Sequence, residues 1–110
     1  MADEYVIVLT TLPGAADATA FARTLVSERL AACVSVFPPA LSVFSWEGRV
    51  TEEQERQLTL KTSRERVGAL RDRLHDLHPY EVPEFLVLPI IDGSDAYLRW
   101  ISASVGGPPA

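Results

Sequence analysis

A strand that is hydrophobic on both of its faces is hard to accommodate in a small protein, and this chain carries one. Phe85, Leu86, Val87, Leu88, Ile90 and Ile91 form a run in which residues of both parities are apolar. Successive strand residues face opposite sides of a sheet, so such a strand needs cover on both. Any fold for the 110 residues has to supply that second cover.

The remaining elements narrow the choice. Tyr5 to Leu9 reads as a first strand, closed off by Thr10-Thr11 and the turn signal Pro13-Gly14. From Ala15 to Leu30, Ala18, Phe21, Ala22, Leu25 and Val26 share one side of a helical wheel, with Asp17 near the positive N-terminal end. Arg29 also projects near the middle of that stripe, which is awkward unless it lies in the last turn with its guanidinium directed past the core; the sequence leaves this open. Ala32 to Phe37 and Leu41 to Trp46 read as one long strand interrupted by Pro38-Pro39, which cannot donate ladder hydrogen bonds and so predicts a bulge. Glu47-Gly48 offers a turn, and Leu58 and Leu60 alternate with Gln57, Thr59 and Lys61 in the returning strand.

Thr62 and Glu65 match a capping box, after which Val67, Leu70, Leu74 and Leu77 recur at helical spacing. His78-Pro79-Tyr80-Glu81-Val82-Pro83 cannot continue that helix and predicts a stiff connector to the strand Phe85–Ile91, broken late by Pro89. Asp92-Gly93-Ser94 then caps a short amphipathic helix carrying Tyr97, Leu98, Trp100 and Ile101, and residues 106–110 form a loose tail.

The order βαββαβ is that of an α+β, ferredoxin-like sheet with both main helices on one face. With 47% hydrophobic residues and no linker, residues 1–110 read as one domain with apolar surface left over. Self-association is the simplest cover for the second sheet face, although periodicity alone does not specify two, three or four subunits.

Composition also excludes partners. A net charge of -5, from 15 acidic and 10 basic residues, works against nucleic-acid binding. Met1-Ala2-Asp3-Glu4 lacks a basic leader and the apolar run Tyr5–Leu9 is too short to span a membrane, which points to the cytoplasm and to no membrane partner. The single cysteine, Cys33, lies in an apolar stretch and reads as a small hydrophobe. Neither a phosphate-binding glycine loop nor a nucleophile elbow is present, so no enzyme is predicted.

Several strings in order resemble the CutA divalent-cation tolerance family: Glu28-Arg29-Leu30-Ala31-Ala32-Cys33, Ser45-Trp46-Glu47-Gly48-Arg49-Val50, Leu60-Lys61-Thr62, His78-Pro79-Tyr80-Glu81-Val82-Pro83-Glu84, Leu88-Pro89-Ile90 and Tyr97-Leu98-Arg99-Trp100-Ile101. The resemblance spans nearly the whole chain. It implies a homotrimer whose sheets pack about a threefold axis with long hairpins reaching neighbours, as in the PII signalling proteins. It also implies tolerance of copper and other divalent cations. Metal-binding members place a cysteine near the end of strand one and a His-His pair before Pro-Tyr, where this chain has Thr10, Leu77 and His78. One of the three donors remains, so the implied cofactor is a weakly held Cu(II) or other divalent cation, with no organic cofactor.

Two groups of residues are the candidates. His78, with Glu81 and Glu84 to complete a shell, is the metal candidate, against a plain connector role for the same segment. Trp46, Glu55, Lys61 and Tyr80 combine a cation, a carboxylate and aromatic walls, which suits an intersubunit cleft for a small anionic ligand in a PII-like sensor. The alternative for these four is an intersubunit ion pair with aromatic packing at the hairpin tip. A stable trimeric scaffold for a protein partner is the third functional reading.

Overall fold

The computed structural model describes residues 4–106. Its elements are β1 (Tyr5–Pro13), α1 (Ala18–Ser27), β2 (Cys33–Trp46), β3 (Arg49–Ser63), α2 (Val67–Leu77), β4 (Leu86–Ile90) and α3 (Asp95–Val105), with a 3-10 turn at Arg64–Arg66. The strands form one antiparallel sheet in the order β2-β3-β1-β4. This is the ferredoxin-like α+β arrangement followed by an extra helix. The predicted loose tail lies outside the described residues beyond Gly106.

One face of the sheet makes the main core. Val6, Val8 and Leu12 of β1 and Leu58 and Leu60 of β3 meet Phe21 and Leu25 of α1 and Leu70 and Leu74 of α2. Burying each such leucine stabilises the fold by about 2 kcal/mol. α1 starts where Asp17 accepts a hydrogen bond from the Ala20 N–H at 3.0 Å, later than the predicted Ala15. It ends as the Leu30 N–H reaches the Leu25 carbonyl and the Arg29 N–H reaches Val26, both at 3.0 Å. That closure puts Arg29 at φ 59, past the helix, with its guanidinium on the Gly106 carbonyl. The arginine that interrupts the apolar stripe thus never enters the core.

The strands run longer than the sequence reading. β1 continues through Thr10-Thr11 to Pro13, because both threonines are good strand formers and the ladder with β3 reaches as far as Glu55. β2 is one strand with a register shift between Val36 and Pro39, at the predicted proline pair. Glu47 and Gly48, at φ 50 and 77, make the two-residue turn. Beyond Glu55, β3 pairs only with β2, so the hairpin projects as a two-stranded arm exposing Leu41, Val43, Trp46 and Val50. Pro89 does not break β4, because an edge strand has no second neighbour that needs its N–H.

The capping box fails. Thr62 is not a cap; it lies inside β3, facing the core at 0% exposure, and its Oγ1 has no hydrogen-bond partner among the described residues. A lone buried hydroxyl is costly, so Thr62→Val should raise stability by about 1 kcal/mol in urea unfolding. A lowered midpoint would show that the hydroxyl has a role.

α3 covers part of the second face, which the sequence reading gave wholly to neighbouring subunits. Ser94 caps it by accepting from the Tyr97 N–H, and Ile101 and Val105 pack with Tyr5 and Ala32 at one end of the sheet. Farther along, Ile7 pairs with Leu88 and Leu9 with Leu86, and Leu86 and Leu88 are 53% and 46% exposed. Val87 points the other way into the core. The doubly apolar strand therefore keeps one bare side.

Candidate functional site

α2 ends at His78 because the residue before a proline is pushed toward extended geometry, and His78 has φ -84 and ψ 136. That turn swings the imidazole off the helix toward the end of β1. Its Nε2 lies 2.6 Å from the Thr11 carbonyl, which can only accept, so Nε2 carries the proton. Nδ1 then holds the ring's lone pair, and it accepts the Tyr80 backbone N–H at 3.0 Å. The ring is buried, edge-on to Phe21 and tilted against Tyr80.

The connector continues along the edge of β1 where β4 has not yet begun. The Tyr80 hydroxyl donates to Glu55 Oε2 at 3.0 Å, and Glu55 is a buried carboxylate opposite Pro13. The Thr10 hydroxyl donates to the Glu84 carbonyl at 2.7 Å, while Gln57 Nε2 reaches both the Thr10 carbonyl and Glu84 Oε2. Side-chain hydrogen bonds thus take the place of a ladder until Leu86 pairs with Leu9.

These surroundings set the protonation states. Burial pushes the His78 pKa below its ordinary 6.5 and the charge of His75 adds to this, while the Thr11 hydrogen bond and Glu55 act in the opposite sense. Burial, the Glu55 hydrogen bond and the charges of Glu55 and Glu53 push the Tyr80 hydroxyl up to about 12. A histidine neutral in the fold contributes stability above the unfolded value of 6.5, lost as pH falls through the lower folded value. Wild-type urea stability should therefore decline below about pH 6.5 more steeply than that of His78→Gln. Parallel profiles would refute the assignment.

The structure brings together part of what the sequence suggested. His78, Tyr80 and Glu55 converge, whereas Glu81 is exposed and Glu84 is turned to Gln57. Among the described residues no three His, Cys, Asp or Glu side chains gather into a metal-holding group. Thr10 spends its hydroxyl proton on Glu84, and Leu77 packs against the core. His75 remains in α2, exposed, with Nδ1 on the Arg71 carbonyl.

The four cleft candidates lie at three places within one chain. Glu55 and Tyr80 bond to each other, Trp46 stands at the arm's tip opposite Arg49, and Lys61 lies six residues along β3 from Glu55, about 20 Å away. Lys61 Nζ is 3.3 Å from the Tyr97 hydroxyl and 5.5 Å from its ring centroid, beside Trp100. Gln57 and Tyr97 are the residues that sequence reasoning missed. Gln57 showed only strand alternation, and Tyr97 meets Lys61 only once α3 folds over the sheet.

The family profile of the CutA1 divalent ion tolerance protein matches residues 6–104. The divalent-cation tolerance protein CutA of Thermus thermophilus is 43% identical over 100 residues, covering 91% of this chain and 97% of its own. The structure of the divalent cation tolerance protein from Thermus thermophilus aligns with a TM-score of 0.89 at 42% identity, over 93% of this chain and 99% of that one. A structure described as the periplasmic divalent cation tolerance protein CutA of Archaeoglobus fulgidus aligns at 0.88 with 32% identity, over 93% and 99%. A match across the whole described fold, on both sequence and backbone, shows that this chain belongs to the CutA1 divalent ion tolerance family.

Proposed function

We propose that this chain acts in divalent-cation tolerance as a homotrimeric binding protein that holds a cation such as Cu(II) weakly and reversibly, and that it is not an enzyme. The observation that carries the reading is the convergence of an imidazole lone pair, on His78, with the buried carboxylate of Glu55 at the head of the connector to Glu84, in a chain of this family. Imidazole and carboxylate together suit Cu(II) and Zn(II), and few donors mean modest affinity. Both histidines have a ring nitrogen tied to a backbone carbonyl, which supports a binding role over proton-transfer chemistry.

The trimer is supported by the bare sheet face around Leu86 and Leu88 and by the apolar arm. No helix among the described residues is long and apolar enough to cross a membrane. The cytoplasm is the proposed compartment, and cell fractionation tests it. For the function itself, a strain lacking the gene should grow poorly in excess copper and recover when this chain is supplied. Equal growth with and without the gene would count against the reading.

The Lys61 ammonium beside Tyr97 and Trp100 favours a second reading, a small anion held near α3 as in a PII-like sensor. Lys61→Ala and His78→Ala separate the two. A ligand-dependent rise in melting temperature lost only in Lys61→Ala belongs to the anion site, and one lost only in His78→Ala to the cation site.

A further inference from the structure

Among the described residues nothing neutralises the charge of Lys61. Its cross-strand neighbours, Ile7 on β1 and Cys33 on β2, are uncharged, and neither ion pair of the described fold involves it. Its ammonium makes one side-chain hydrogen bond, to the Tyr97 hydroxyl at 3.3 Å. An ammonium has three N–H groups, so two stay available, and a phenol that accepts from the lysine keeps its own O–H to donate. The pair therefore offers donors on two adjacent atoms, which the two oxygens of one carboxylate can share.

Beside these donors stands an apolar surface. Tyr97 and Trp100 lie one turn apart on α3, with ring centroids 5.3 Å apart and planes inclined by 38°. Ile101 and Val105 bury the helix against Tyr5 and Ala32, whereas Tyr97 and Trp100 stay 42% and 44% exposed. The two rings form a shelf whose Tyr97 side meets the ammonium, 5.5 Å from the Tyr97 centroid. A flat ring laid against that shelf gains stacking contact that a small inorganic anion cannot. One cation suits a singly charged group, and Asp95, in the first turn of α3, disfavours a second negative charge.

Resting on the anion reading above, we propose that Lys61, Tyr97 and Trp100 form a subsite for an aromatic carboxylate. The carboxylate takes the Lys61 ammonium and the Tyr97 hydroxyl, and the ring lies against Tyr97 and Trp100. The subsite joins β3 to α3, so it exists only where α3 is docked on the sheet.

Benzoate is the probe, titrated into the full chain, with acetate as the anion without a ring and benzamide as the ring without a charge. Equilibrium dialysis gives the affinities, and NMR of the Lys61 side chain reports the place. Benzoate should bind saturably, shift the Lys61 methylene next to the ammonium, and bind about tenfold or more tighter than either control. Trp100→Ala should weaken benzoate about tenfold and leave acetate unchanged. Tyr97→Phe, which keeps the shelf and removes the hydroxyl, should weaken both anions about threefold. Lys61→Met, which keeps an unbranched apolar stem, should weaken both about tenfold or more with the circular dichroism of the fold unchanged. Acetate binding as tightly as benzoate, with both lost in Lys61→Met, would overturn the aromatic subsite while the anion reading stands. Saturable benzoate binding that Lys61→Met or Trp100→Ala leaves undiminished would overturn the placement of the subsite. No saturable binding of benzoate or acetate in wild type would overturn both the subsite and the anion reading.

Discussion

Leu88→Asp should convert the proposed trimer into single chains, with the mass from light scattering falling from three times 12.1 kDa to 12.1 kDa. Leu88 is 46% exposed and pairs with Ile7 on the sheet face that α1 and α2 do not reach. A carboxylate there costs the isolated chain little, since water reaches it. In a trimer the same position repeats three times around the axis, and each buried, unpaired charge costs several kcal/mol. Val26→Asp, on the exposed side of α1, should leave the mass unchanged. An assembled Leu88→Asp protein would place the interface elsewhere.

Leu60→Ala acts on the fold itself and should lower stability by about 3 kcal/mol. Leu60 is 0% exposed in the middle of β3, flanked by β1 and β2 and packed in the core that α1 and α2 close. No neighbour can collapse into the space left behind without breaking a ladder. For a domain of this size that loss lowers the melting temperature by about 15 °C. Val50→Ala, at an arm position 81% exposed in the single chain, should cost under about 0.5 kcal/mol there. The comparison is best made by urea unfolding in the Leu88→Asp background, where assembly does not contribute.

Much of the fold was legible because it rests on local pattern. The spacing of Leu70 and Leu74 marks α2, and both are fully buried; the paired prolines mark the shift in β2; and His78 before Pro79 ends the helix where it should. The errors arose where long-range packing overrides local chemistry. Thr62 has the sequence signature of a cap, yet its place in the ladder opposite Val6 keeps it in β3. Arg49–Gln54 shows no alternation because, as a two-stranded arm, it has no core face within one chain.

The candidate site divides the same way. The lone pair of His78 goes to Tyr80, two residues on, while its proton goes to Thr11, 67 residues back, and only the first could be guessed from sequence. Glu55 and Tyr80 both belong to the group read as an intersubunit cleft with Lys61 and Trp46, and within one chain these two bond to each other beside His78, so a residue chosen for one ligand chemistry lies next to the other.

Calorimetric titration of Cu(II) into metal-free protein, comparing wild type with His78→Ala in a weakly coordinating buffer, tests the central claim most directly. Saturable binding at one site per chain, lost in His78→Ala while the mass in solution stays that of wild type, is the predicted result. Binding that is absent from wild type, or equal in the two proteins, would contradict a cation site at His78.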